Sequence, residues 1–261
     1  MIDAHCHLQD ESFGDDFEAI FSESLSRGIQ SFVVNGTSEN DWEKVADLAR
    51  EHPEIKPSFG LHPWYVSERS PEWRAQLEEL LIEFPKAGVG EIGLDRWIKN
   101  HDIEEQLPVF EAQWKLAHSL DRPLSVHCLK AWGHLVESLN HLPEHRFLLH
   151  SYSGSEELVP VFSGKGAYFS ISGYFLKAAK AEKLKVFSTV PTDRLLLETD
   201  SPSMELPGEL DLHPDFEFNH PANLAVVYRQ VAENEGIPLD ALVERTRANF
   251  DRWFTGSAPK D

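Results

Sequence analysis

The chain has 261 residues, 44 acidic against 24 basic, for a formal net charge of −20 and a pI near 5.0. With 41% hydrophobic and 26% charged residues the composition is that of a globular protein, which excludes disordered and fibrous classes. No apolar run approaches the roughly 18 residues of a membrane span, no basic-then-apolar leader opens the chain, and two cysteines do not make a disulfide scaffold. A soluble, cytoplasmic protein without membrane contact is expected, as a monomer or weak oligomer. The charge argues against tracking along duplex DNA, which calls for a basic face, but leaves open a grip on one strand end.

Short β-like runs alternate with stretches of helical length. Strands are expected at 2–8, 31–36, 56–62, 88–94, 123–128, 146–152, 167–172 and 194–200. Helices are expected between them at 14–27, 39–52, 70–84, 102–121, 131–141, 155–164 and 176–189, with Asp102 and Ser155 as N-caps and Pro53, Pro85 and Pro123 as stops. A Pro-rich loop (201–220) and two closing helices (221–236, 238–254) complete the chain. Strict alternation predicts a parallel sheet, and eight repeats predict its closed form, an α/β fold of the (β/α)8 TIM-barrel type. An open doubly wound sheet is the alternative, but no glycine-rich dinucleotide or phosphate-loop motif supports it. Residues 1–261 are read as one domain.

Metal-binding residue types fall at the strand ends. They are His5 and His7 in strand one, Glu91 in strand four, His127 in strand five, His150 in strand six and Asp200 ending strand eight. The H-x-H spacing puts His5 and His7 on one face of a strand. In a closed barrel the C-terminal strand ends converge on one mouth, so all six meet. Four imidazoles and two carboxylates suit Zn²⁺, Mn²⁺, Fe²⁺ or Ni²⁺ better than Mg²⁺, which prefers oxygen. Six ligands exceed one tetrahedral ion; two ions about 3.5–4 Å apart, with Glu91 as bridge, would use them all. Asp3 shares the parity of the pair and reads as an acceptor behind the ligands or a simple structural hydrogen bond. His62 reads as a substrate contact or a capping residue. Cys6 and Cys128 have the opposite parity and read as small core residues. His52 and His118 fall in helical stretches and read as solvated surface.

These residues sit in segments that resemble the TatD family of metal-dependent hydrolases, within the amidohydrolase-like barrels. The matching stretches are DAHCHL (3–8), GLHPW (60–64), GEIGLD (90–95), RPLSVHC (122–128), LHSYSGS (149–155), LLLETDSP (195–202), NHPANL (219–224) and NFDRWF (249–254). The resemblance covers nearly the whole chain. It implies a one- or two-ion centre (Zn, Mn or Mg) on the same six residues and hydrolysis of DNA phosphodiester bonds, often exonucleolytic. Some relatives are credited with other ester hydrolyses, including on charged transfer RNA.

Three features depart from the family pattern. Leu129 and Lys130 stand where an arginine is usual two residues after the fifth-strand histidine. Asp95 is followed by Arg96 and Trp97, where an aromatic commonly comes first. The eighth-strand loop, SPSMELPGELDLHPDFEF, is acidic. The expected chemistry is attack by a metal-activated water, with Asp200 orienting and deprotonating it, Glu91 bridging, and His62 contacting the substrate. Lys130 would partly replace the arginine as a point charge. Trp64, Tyr65, Trp97, Trp132, Tyr152 and Tyr174 are candidates for stacking bases, and KAAKAEKLK (177–185) for following a backbone or for a solvated helix face. A hydrolase of small phosphoesters, carboxylic esters or amides is the competing reading, and a non-catalytic metal-binding barrel is a third. Steep loss of activity with salt would mark the nuclease.

Overall fold

The computed structural model describes residues 1–100 and 102–257. Eight strands, β1 (Ile2–Cys6), β2 (Ser31–Asn35), β3 (Ile55–Phe59), β4 (Gly88–Asp95), β5 (Leu124–Leu129), β6 (Phe147–Leu149), β7 (Ala167–Ser172) and β8 (Leu195–Glu198), form one parallel sheet in sequence order. Beyond the last ladder the ends meet. Asp200 N donates to His5 O (3.0 Å) and His7 N donates to Ser201 O (2.7 Å), so β8 and β1 come together and the sheet curls into a barrel. The helices between strands are α1 (Phe17–Ser26), α2 (Trp42–Glu51), α3 (Trp73–Glu83), α4 (Ile103–Ser119), α5 (Trp132–His141), α6 (Leu158–Ser163) and α7 (Ala181–Val186). Two more, α8 (Leu224–Glu235) and α9 (Leu239–Phe250), close the chain. Among the described residues no helix is long and apolar enough to cross a membrane.

All eight strands lie where alternation placed them, but several are shorter. His7, His150 and Asp200 lie past the last paired residue of their strands. The backbone has left the extended region there, with Ser151 at φ 40° and Asp200 at φ 56°, a left-handed conformation that Asp tolerates better than branched residues. Asp102 does cap α4, accepting from Glu104 N and Glu105 N. Ser155 caps nothing. Its carbonyl closes a turn with Leu158 N (3.3 Å) and α6 starts after that turn. The expected helix at 176–189 is broken into short 3-10 pieces around the six residues of α7.

The core is continuous around the outside of the barrel, from Phe21, Phe32 and Trp42 through Phe59, Phe110 and Trp114 to Phe169 and Tyr228, all nearly fully buried. A second cluster joins Ile2, Ala4, Val33, Leu148 and Leu196 to Phe250, Trp253 and Phe254. Both cysteines are buried, and burial raises their thiol pKa values, as small core residues should show. The closing helices also fix the barrel through polar atoms: Tyr228 Oη accepts from Ile2 N (3.2 Å), and Asn249 Nδ2 donates to Leu195 O (2.8 Å). His52 departs from expectation. Its ring packs edge-on against Phe21, at 4.6 Å between centroids, in the seam between α1 and α2. His118 is exposed, as expected for its helix face.

Candidate metal centre

Glu91 organises the mouth. Its buried carboxylate turns one oxygen to each of two donor groups. Oε2 lies 3.4 Å from His5 Nε2 and 3.2 Å from His7 Nε2. These nitrogens are 3.2 Å apart, and Asp200 Oδ1 completes the group at 3.6 and 3.5 Å. Oε1 lies 2.8 Å from His150 Nε2 and 3.2 Å from His127 Nδ1, which are 3.4 Å from each other. The edge of a tetrahedron around Zn²⁺, with ligand bonds of 2.0–2.1 Å, is about 3.3–3.4 Å. The residues present thus fit a divalent-ion site, and the two groups that share Glu91 would leave room for a second ion.

The far nitrogen of each ring decides whether the near one can donate a lone pair. His7 Nδ1 is 2.8 Å from the carbonyl of Asn35, which can only accept, so the proton sits on Nδ1 and Nε2 faces the centre. His127 Nε2 donates to Asp95 Oδ2 (2.9 Å), which aims Nδ1 inward. His5 Nδ1 meets Ser125 Oγ at 2.8 Å. His150 stacks on His5 at 3.9 Å between centroids, and its Nδ1 is 3.8 Å from the buried Glu198. Glu198 holds the backbone turn after His150 by accepting from Ser151 N (2.8 Å), and it also accepts from the hydroxyls of Ser151 and Ser170.

The same geometry sets the charge. Burial alone would raise the carboxyl of Glu91, but the surrounding histidines outweigh it and hold the group well below its usual pKa. Asp200 is likewise lowered, because His7, His150 and His5 offset its burial. Burial works against protonating His7, His127 and His150, yet the carboxylates beside them raise all three. His5 is lowered by burial and by the charge of His150.

His62 is built differently. Its Nδ1 accepts from Trp64 N (3.2 Å), and burial lowers its pKa to about 4, so the neutral ring carries its proton on Nε2. That N–H points at Glu91 Oε1 from 3.3 Å, so His62 offers a donor where its neighbours offer lone pairs. Asp3 accepts from Thr199 N (3.0 Å) and Thr199 Oγ1 (2.6 Å), tying β1 to the residue before Asp200. Asn219, from the NHPANL stretch, donates to Thr199 O (2.8 Å) from the other side. Gly93 has φ 155°, and a Cβ there would lie 1.9 Å from His127 O, so only glycine lets β4 and β5 approach this closely below the donors.

The candidates for substrate contact divide. Trp64 is 39% and Trp97 57% exposed, and Lys130 is exposed with φ 56° and no hydrogen bond or ion pair to another described residue. Tyr152 is placed elsewhere. It is buried among Trp132, Phe162 and Phe169, and its hydroxyl donates to Ser155 O (2.8 Å), so it presents no face at the mouth. The half-buried Tyr174 is already covered by Lys177 and Lys180, 5.0 and 4.7 Å from its ring. The acidic loop is drawn aside: His213 pairs with Glu23 of α1 (3.0 Å), Leu212 N donates to Asn223, and Phe218 packs on Phe13. A cavity of about 600 Å³ lies between this loop and Lys177–Ala179, and none of the six donors lines it.

Asp95, Ser125, Asn35 and Glu198 were not singled out from sequence, although signals existed. Ser125 and Glu198 each precede a donor by two residues and so share its strand parity. Asp95 ends the GEIGLD stretch.

The family model described as TatD related DNase matches residues 2–255. A "3'-5' ssDNA/RNA exonuclease TatD" of Erwinia tasmaniensis is 30% identical, over 97% of this chain and 99% of its own length. The protein of the same name from Escherichia coli K12 is 27% identical, over 97% and 98%. The crystal structure of a TatD homologue from Escherichia coli K12 superposes with a TM-score of 0.89 at 28% identity, covering 98% of both chains. With the motifs, the barrel and the match to nearly every residue in agreement, the chain belongs to the TatD-related DNase family.

Proposed function

We propose that this protein is a metal-dependent phosphodiesterase acting on single-stranded nucleic-acid ends, the whole chain serving as one hydrolase barrel. The observation that carries the reading is the division of Glu91 between two donor groups. His5, His7 and Asp200 would hold one divalent ion, His127 and His150 the other, and Glu91 both. When bound, the ions supply a Lewis acid for the phosphoryl oxygens and lower the pKa of water. Asp200, kept ionised, takes a proton from the attacking water as its oxygen bonds to phosphorus. The ester P–O bond breaks, the electron pair leaves with the nucleoside oxygen, and that oxygen takes the proton back from Asp200 to leave as the alcohol. His62 donates its Nε2 proton in a hydrogen bond to a phosphate oxygen, and Lys130 adds a point charge at the rim. The names of the relatives support single-stranded DNA or RNA as substrate and attack from the 3′ end.

The test is cleavage of 3′- and 5′-labelled single-stranded oligonucleotides by metal-stripped protein, with Mn²⁺, Mg²⁺ or Zn²⁺ restored and Asp200→Asn as control. Metal-restored shortening from one end, absent in the variant, supports the reading. Turnover of small phosphate or carboxylic esters without oligonucleotide cleavage overturns it. The −20 charge favours that second reading of a small-ester hydrolase, whose rate should vary little with salt.

A further inference from the structure

The carboxylate of Asp95 holds two things through one oxygen. Oδ2 accepts from His127 Nε2 (2.9 Å) and from the indole Nε1 of Trp64 (2.8 Å). Oδ1 accepts from Trp97 N and from Ile98 N, the latter at 3.0 Å. Gln106 of α4 clamps the backbone of the same residue, accepting from Asp95 N (2.8 Å) and donating to Asp95 O (2.9 Å). The group is buried, and both its oxygens and its backbone are hydrogen-bonded.

Trp64 has a rim position that its hydrogen bonding does not explain. The only polar atom of its side chain is bonded to Asp95, so the indole has no need of water, yet 39% of the residue is exposed. Its ring stands edge-on to His62 (5.1 Å between centroids, 87°) and lies 6.4 Å from His127, one ring away from the donor group. An exposed aromatic surface fixed in advance loses little conformational entropy when a flat partner lies on it. Trp97 is more exposed, but its indole has no such tether among the described residues. A nucleobase is the flat partner that a strand end would bring, and stacking does not require reading its identity.

We propose that Trp64 is the platform on which the base of the terminal nucleotide stacks, and that Asp95 is a positioning residue coupling this platform to the metal ligand His127. This rests on the nucleic-acid reading above. In Asp95→Asn one acceptor oxygen becomes an NH2 facing N–H donors and the other loses its charge, so His127 and Trp64 are held less firmly and should loosen together. A base on the platform in turn places the scissile phosphate at a fixed offset from the donors.

The experiment compares two single-stranded oligonucleotides that differ only in whether the nucleotide at the attacked end carries its base. The wild-type enzyme with Mn²⁺ should prefer the intact end in kcat/KM by about tenfold or more, the range expected for one stacked base. Trp64→Ala should abolish the preference, slowing the intact substrate more than the abasic one until the two rates meet. Asp95→Asn should shrink the preference and, in a chelator competition that needs no turnover, weaken Mn²⁺ binding about 10- to 100-fold. Equal slowing of both substrates in Trp64→Ala, or no preference in the wild type, overturns the stacking role. A preference that persists in Asp95→Asn while Mn²⁺ binding weakens overturns the coupling. If no metal restores cleavage of either oligonucleotide, the nucleic-acid reading falls and takes the proposal with it.

Discussion

Among the described residues histidines and carboxylates crowd together both at the mouth and on one flank, and the two places differ in what they offer a metal. At the mouth, His5, His7, Glu91, His127, His150 and Asp200 converge, and acceptors behind His7 and His127 force the ring protons outward. On the flank, Glu23, His213 and His220 lie equally near one another, with the two rings stacked at 3.9 Å. There, however, His220 Nδ1 accepts from Ala222 N (3.1 Å), so the neutral ring bears its proton on Nε2 and has no second lone pair to give. Glu23 is already paired with Arg27 at 3.0 Å. The same residue types thus make a donor set in one place and a clip for the acidic loop in the other. What differs is which nitrogen carries the proton, and that is set by the atom behind each ring.

The comparison breaks most sharply at the carboxylates. Glu91→Ala should lower turnover on the order of 10³-fold, in line with the several kcal/mol of charge stabilisation a catalytic ion supplies, and should lower the ion content. Glu23→Ala should change neither, and metal analysis with oligonucleotide turnover on both variants decides. The next effect is on pH. His7, His127 and His150 have raised pKa values without ions, so a metal must displace their protons. Affinity should therefore rise as pH increases toward those values, about tenfold per pH unit for each proton released. Calorimetry in buffers of different ionisation enthalpy measures that release directly, and an absence of proton release would contradict the charge pattern described above.

A smaller effect is expected from Ser125→Ala, which removes only the hydroxyl facing His5 Nδ1 and should weaken metal binding about tenfold. The smallest falls on the flank. Burial, with the charge of His213, lowers the pKa of His220 to about 4, below the roughly 6.5 of a free imidazole. The unfolded chain then takes up the proton first, so this contribution to stability is complete above about pH 6.5 and is lost as pH falls through 4. His220→Asn retains a capping side chain without the titration. Its Tm should fall less than that of the wild type between pH 7 and 5, and parallel curves would show that the clip is not pH-sensitive.

Much of the mouth was legible before any coordinates. Alternation located all eight strands, and residue type at the strand ends singled out the six side chains that meet at the mouth, with strand parity pairing His5 and His7. Loops and caps were less legible. Ser155 looked like an N-cap, but the turn it closes postpones α6. Tyr152 sat on the right side of β6 to reach substrate, but packing against Trp132 and Phe162 claimed it. His52 had a helix-surface spacing, yet it fills the seam between α1 and α2. The Ser155 turn is local, closed by Leu158, whereas the Tyr152 and His52 outcomes depend on neighbours distant in sequence.

The chain by itself determined the strand–helix order, the hydrophobic layers and the donor types at the strand ends, since these are local properties of spacing and side-chain chemistry. Only the tertiary structure decided that Glu91 serves two groups, that His62 offers a proton while His7 and His127 offer lone pairs, and that Asp95 joins His127 to Trp64. Apart from the His62 tautomer, which Trp64 N sets from two residues away, those features depend on distances of about 3 Å between residues 28 to 193 positions apart, and on which partner meets each ring nitrogen. Closure of the barrel creates both.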